Sequence, residues 1–174
     1  PPHSENRLIT ELLAERGIPF ARIGSNAPGP GIPLTMGDEG AAHLATSRLV
    51  ALGHRRIAMI AGPAQYSLSG WRIEGWKRAL AEHGLPWEGL LEAGDFGLES
   101  GARAAHALLM RNPDLTAIIA SSDQMALAAL EVARERGLSV PQDLSLISFD
   151  NTPIVRFTQP PLTAVDQPIA ETVS

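Results

Sequence analysis

The chain contains no cysteine. Disulfides are thereby excluded, while reducing and oxidising compartments both stay open. No block of Lys or Arg is longer than a pair such as Arg55–Arg56, and the formal net charge is −5. Duplex binding needs clustered cations to displace phosphate counterions, so these residues are not expected to touch DNA themselves. No stretch approaches the roughly 18 apolar residues of a membrane span, and no basic segment followed by an apolar run opens the chain. It begins at Pro1-Pro2 without methionine and is expected to be an excised piece of a longer protein. A phosphate loop of the G-x-x-x-x-G-K-S/T type and a G-x-S-x-G nucleophile elbow are both missing. Gly29 and Gly31 form a G-x-G, but Pro30 and Pro33 forbid the strand-to-helix turn of a dinucleotide site. The histidines His3, His43, His54, His83 and His106 are scattered, none at metal-ligand spacing with another. They read as surface or helix-end residues. Neither a metal nor a cofactor is expected.

What is present is an alternation of strands and helices. The chain has 174 residues, 44% of them hydrophobic, which fits one buried soluble domain at about 100–200 residues per domain. Ser4 can cap a helix to about Arg16, with Leu8, Leu12 and Leu13 on one face and Gly17 as its stop. A strand over Ile18–Ile23 precedes a Pro/Gly-rich stretch, Ala27–Pro33, that reads only as loop. Asp38 caps a second helix with its stripe at Ala41, Ala45, Leu49 and Leu52, stopped by Gly53. Arg55–Ala61 suits a strand covered on both faces. A helix from about Ser69 to His83 turns Ile73, Trp76 and Leu80 inward, and a short strand follows near Leu90. Leu98–Met110 and Asp123–Arg136 are helices, and Leu115–Ala120 and Leu144–Phe149 are strands. Such alternation with short connections means parallel pairing through right-handed crossovers. The expected fold is an α/β, doubly wound, open parallel sheet.

Open sheets of this kind bind ligands at the carboxyl ends of their strands, and several residues fall there. Asp150 ends its strand as an acceptor for two hydroxyl groups, or as a turn residue before Pro153. Arg72 falls in the first turn of its helix, where the dipole disfavours a cation. It needs a partner such as Asp150 or a polar ligand, unless it is simply solvated. Phe96 in GDFG is a stacking platform or a staple for the next helix. Ser122 and Asp123 follow TAIIAS and serve as helix caps or as ligand contacts. Asp123 with Asp150 could also form a carboxylate pair, for which binding is a commoner use than catalysis. Trp76 reads as core, and Trp71 finds no assignment.

Six ordered runs carry a resemblance: GHRRIAMIAGP (53–63), SGWRIEGW (69–76), GDF (94–96), SSDQMALAAL (121–130), VPQDLSLISFDN (140–151) and PPLTAVDQP (160–168). Together they resemble the effector-binding domain of bacterial transcription regulators of the lactose-repressor/galactose-repressor family. That resemblance implies a periplasmic-binding-protein-like (type I) lobe, two-lobed in the parent protein. Residues 1–35 then correspond to a remnant of the N-terminal lobe, 36–165 to the C-terminal lobe and 166–174 to a crossover back. It also implies effector contacts by Arg72, Asp150, Phe96, Ser122, Asp123 and Gln167, although the family usually has Asn where Ser122 stands. The helix from Asp123 would contribute Met125, Leu127 and Leu130 to a homodimer, or pack them on its own sheet. A sugar-like effector, a cytoplasmic location without membrane contact, and operator binding through a helix-turn-helix headpiece absent from this chain are implied likewise. The rival reading is a periplasmic sugar-binding protein. A small hydrolase using Asp123 and Asp150 is a third, without a nucleophile motif.

Overall fold

The computed structural model describes residues 4–167. Helix α1, Arg7–Glu15, is capped by Asn6, whose Oδ1 accepts the Ile9 amide at 3.3 Å. Ser4, the expected cap, stands two residues too early. Leu8 and Leu12, expected inward, are 80% and 52% exposed, and Thr10 is the buried position. The apolar stripe that predicted this helix therefore has solvent before it among the described residues. Strand β1, Ala21–Ile23, starts later than the expected Ile18, and strand β2, Ile32–Leu34, forms inside the Pro/Gly-rich loop. The two pair in parallel with Pro33 opposite Arg22. Proline has no amide to donate, which restricts it to an edge. Pairing goes on around it: the Ile32 amide donates to the Phe20 carbonyl at 3.0 Å and the Gly24 amide to that of Leu34 at 2.7 Å.

Gly37, with φ +71, turns the chain into helix α2, Asp38–Ala51. Asp38 is thus the first helical residue rather than the cap, and the buried stripe is Ala42, Ala45, Thr46, Leu49 and Val50, leaving Leu52 exposed. Strand β3, Ile57–Ala61, is buried at every position, as its unbroken apolar run requires. Helix α3, Ser67–Glu82, follows, and Trp76 and Leu80 are fully enclosed. The Trp76 indole donates to the Ile57 carbonyl at 3.2 Å, so its one polar atom is satisfied inside the core. Strand β4 (Leu91–Ala93), helix α4 (Leu98–Arg111), strand β5 (Ala117–Ala120), helix α5 (Asp123–Glu135), strand β6 (Ser145–Asp150) and strand β7 (Thr163–Asp166) complete the order, with a 3-10 turn at Pro153–Arg156 before β7.

The main sheet runs β4-β3-β5-β6-β7, parallel throughout. The chain moves outward from β3 to β4, then returns to place β5 on the far side of β3. Right-handed crossovers therefore put α3 on one face and α4 and α5 on the other. The direction reverses between β3 and β5, and a crevice opens beyond the carboxyl ends of such a pair.

Two helix contacts are close enough to require glycine. A Cβ on Gly75 of α3 would lie 2.0 Å from the Glu39 carbonyl oxygen of α2, and one on Gly101 of α4 would lie 2.6 Å from the Met125 Cα of α5. The first contact is flanked by an ion pair between Arg78 and Glu39 and by a hydrogen bond between His43 and Glu82 at 2.7 Å. Gly75→Ala is expected to lower stability by about 2 kcal/mol or more through overpacking. Gly70→Ala, on the same helix with open space around it, should instead gain about 0.5–1 kcal/mol from helix propensity. Urea denaturation of both variants checks the pair.

Candidate functional site

Arg72 is the centre of the carboxyl edge. Because α3 begins at Ser67, it lies in the second turn rather than the first. Its Nε donates to Asp38 Oδ1 at 2.7 Å, Nη2 lies 2.7 Å from the same oxygen in the ion pair, and Nη1 donates to the Ser121 carbonyl at 2.7 Å. The guanidinium carbon sits 4.2 Å from the centroid of the Phe149 ring, a favourable cation–π contact. The ion-pair partner is therefore Asp38, not Asp150. Both members are buried, at 3% and 2% exposure. Three of the five guanidinium N–H groups are engaged in this way, and the others remain as donors.

The GDFG corner holds Phe96 in a left-handed conformation, φ +72, which an aromatic residue seldom adopts. Its surroundings over-determine it. Asp95 Oδ1 accepts from the Gly97 amide at 2.8 Å and from the Ser100 hydroxyl at 2.6 Å, while the Ser122 hydroxyl donates to the Phe96 carbonyl at 2.8 Å. The Ser100 and Gly97 hydrogen bonds hold the Asp95 carboxyl below its ordinary range. The ring lies against Gly62, where any Cβ would come within 2.2 Å of it, and stacks on Tyr66 at 6.2 Å between centroids.

Ser122 also caps α5 by accepting the Met125 amide at 3.2 Å. Asp123 Oδ2 accepts both the amide and the hydroxyl of Thr152, at 2.6 and 2.7 Å. That carboxylate ties the end of β5 to the loop after β6, a structural duty that leaves only Oδ1 unengaged. Asp150 has φ +101 and is half-buried. Burial raises its pKa above the ordinary carboxyl value; Arg72 opposes the rise, while Asp123 and Asp38 add to it. Asn151 turns away and donates to Asp166 at 3.1 Å.

Arg72, Phe96, Ser122, Asp123 and Asp150 thus share one edge. Gln167, just beyond β7, has a buried Oε1 without a partner among the described residues. The same holds for Asp38 Oδ2, Ser69 Oγ, Ser121 Oγ, Asp123 Oδ1 and Ser148 Oγ. Asp38, Ser121, Tyr66 and Thr152 were missed by sequence reasoning. Asp38 already had an everyday explanation as a helix cap, and the others belong to no motif. Cavities of about 470, 530 and 430 Å³ lie elsewhere, beside β1 and at the opposite end of the sheet. One wall does not enclose a ligand. Of the expected dimer residues, Met125 and Leu130 are buried in the chain's own core, and only Leu127 retains exposure. Met125 is held there by Gly101 and Gly94. Residues 168–174 of the expected crossover lie outside the described residues. Among the described residues, no cluster of His, Asp or Glu is placed to hold a metal, and no helix is long and apolar enough to cross a membrane.

The profile of the periplasmic binding protein-like domain matches residues 46–174. The chain is 38% identical over 167 residues to the HTH-type transcriptional regulator CelR of Thermobifida fusca, covering 92% of this chain and 48% of that protein. It is 39% identical over 165 residues to MalR of Streptomyces coelicolor, covering 91% and 47%. A solved complex of the regulator CelR with cellobiose superposes with a TM-score of 0.86 at 37% identity, over 93% of this chain and 51% of that one. The chain belongs to the periplasmic-binding-protein-like domains of LacI-family transcriptional regulators. It spans about half the length of the curated relatives it matches. The doubly wound sheet and the family resemblance both agree with this assignment.

In this LacI-family domain the buried pair makes a double prediction. Arg72→Ala leaves Asp38 charged and unpartnered, at an expected cost of about 3–5 kcal/mol. Adding Asp38→Ala should recover much of that loss, so strict additivity in a double-mutant cycle by urea melts would rule the pairing out. Asp150 supplies a pH signature. Its folded pKa is raised, so its contribution to stability is full below the unfolded value, near 3.9, and is lost as pH rises through the folded value. Asp150→Asn removes that loss. The variant should gain on the wild type steadily as Tm is measured from about pH 4 to pH 7.

Proposed function

We propose that this chain is the sugar-sensing, effector-binding lobe of a cytoplasmic DNA-binding regulator that acts as a homodimer. The supporting observation is the set of buried polar atoms without partners at the carboxyl edge: the carboxylate oxygens Asp38 Oδ2 and Asp123 Oδ1 and the hydroxyls of Ser121 and Ser148. A buried polar group left unpaired is costly, and a sugar offers several hydroxyl groups that both donate and accept. Arg72, Asp150, Ser122, Asp123 and Gln167 are the proposed polar contacts and Phe96 the stacking surface. The CelR–cellobiose complex supports a saccharide as the ligand class.

The chemistry is linkage. An effector that prefers one arrangement of two lobes shifts the population toward it, and coupling of about 1–3 kcal/mol is enough to alter operator affinity. Operator contact belongs to a helix-turn-helix outside these residues. The proposed dimer surface keeps Leu127 and adds Ile154 and Phe157, exposed apolar residues on and beside the 3-10 turn. Arg134 of α5 fastens this region by donating to the Gln159 carbonyl at 2.6 Å. Turnover of substrate is not favoured, because Asp123 spends one oxygen on Thr152. The periplasmic rival is not favoured either, since the relatives are transcriptional regulators.

In the intact regulator, Asp150→Ala is expected to abolish release or capture of operator on addition of effector while sedimentation still reports a dimer. A wild-type response in that variant removes Asp150 from the site.

A further inference from the structure

Two arginines are buried among the described residues, and their surroundings differ. Arg72, 3% exposed, meets Asp38 at 2.7 Å. Arg22 of β1 is 4% exposed, and none of the ion pairs among the described residues includes it. Its Nη1 reaches Ser25 Oγ and its Nη2 the Gly29 carbonyl, both at 3.5 Å. Well-formed N–H···O bonds span roughly 2.7–3.2 Å, so both contacts are weak. Its Nε is buried without a partner among the described residues. A guanidinium cannot shed its proton in a protein, so Arg22 has no route to neutrality of its own. A buried charge without a counter-charge is strongly unfavourable.

Arg22 lines a cavity of about 470 Å³ between the start of α1 and the loop after β1. Two carboxylates share its wall, and both are engaged elsewhere. Glu11 pairs with Arg7 at 2.6 Å. Glu5 Oε2 accepts the Ser67 amide at 3.1 Å, at the start of a helix whose own N-cap residue makes no side-chain cap bond. Glu5 Oε1 stays buried and without a donor among the described residues. Pro28 and Pro30 add apolar surface to the wall and have no amide to offer an anion. The cavity therefore combines an unpaired cation, an unpaired acceptor and an apolar side. Its volume falls in the range of small-molecule sites, about 300–1,000 Å³, and exceeds what an inorganic ion fills.

We propose that this cavity is a separate small-molecule site for a monocarboxylate bearing a hydroxyl or ammonium group. The carboxylate lies on the Arg22 fork, the neighbouring donor on Glu5 Oε1, and the apolar body against Pro28 and Pro30. Glu5 and Glu11 oppose a second negative charge, which disfavours a phosphate dianion. None of the residues proposed for the carboxyl edge lines this cavity, so the site stands whether or not that edge binds a sugar.

Thermal melts of the intact protein at matched ionic strength, with sodium chloride as the baseline, test it against lactate, alanine, acetate and phosphate. Lactate and alanine are expected to raise Tm more than acetate or phosphate does. Arg22→Met should weaken lactate at least about tenfold in isothermal titration. In chloride alone it should melt no lower than the wild type, because it removes a buried unpaired charge. Glu5→Gln keeps a hydrogen-bonding oxygen but loses the charge, and should weaken alanine more than lactate. A wild-type Tm that lactate and alanine leave at the chloride value overturns the proposal without recourse to any variant. A lactate shift of the same size in Arg22→Met overturns it too. Arg22→Met melting far below the wild type in chloride gives the guanidinium a counter-charge within the intact protein and also overturns it. Phosphate binding as tight as that of lactate overturns the single-charge rule.

Discussion

The buried ion pair between Arg72 and Asp38 is the contact on which the carboxyl edge depends. Removing two charges from water is unfavourable, and their attraction repays the cost only with good geometry and additional hydrogen bonds. Both conditions hold: Nε donates to a carboxylate oxygen of Asp38 at 2.7 Å with Nη2 equally near, Nη1 holds the Ser121 carbonyl, and the Phe149 ring covers the cation. One guanidinium thereby registers α2, α3, β5 and β6 against each other. Its partner Asp38 is the first residue of α2, directly after residues 35–37, which connect β2 to that helix.

Close backbone approach provides the second constraint. Met125 is seated by two glycines from different elements, Gly94 after β4 and Gly101 in α4. Ser122 then links the same helix start to the Phe96 carbonyl. The strained GDFG corner persists because Asp95, Ser100, Ser122 and Gly62 all hold it in place. Such strain survives only where surrounding structure over-determines it, and here the surroundings come from three separate connections after strands.

Much of this fold is legible in the sequence. Within RRIAMIA and TAIIAS the runs IAMIA and AIIA are unbroken and apolar, and a short apolar run between helices signals a parallel strand buried on both faces. Gly17, Gly53, Gly84 and Gly137 mark helix ends with positive φ, and the helices stop where those residues fall. Strand β2 was not legible. Pro33 and its glycine neighbours carry strong loop signals, and only the presence of β1 at a matching register converts Ile32–Leu34 into an edge strand. The leucines of α1 misled in the other direction, because periodicity reveals an apolar face without revealing what covers it.

The sequence alone determined the alternation of elements, hence the parallel sheet, and the position of Asp123 and Asp150 at strand ends. These follow from local hydrophobic period and chain order, which are properties of neighbouring residues. Tertiary structure alone decided what each polar group does. Arg72 and Asp38 are separated by 34 positions, and no local rule prefers that pairing over Arg72 with Asp150. The choice depends on how α2 and α3 approach at Gly75, a contact between surfaces. Met125 illustrates the same division: its helix was predictable, but its place in the core follows from two glycines brought to it by the fold.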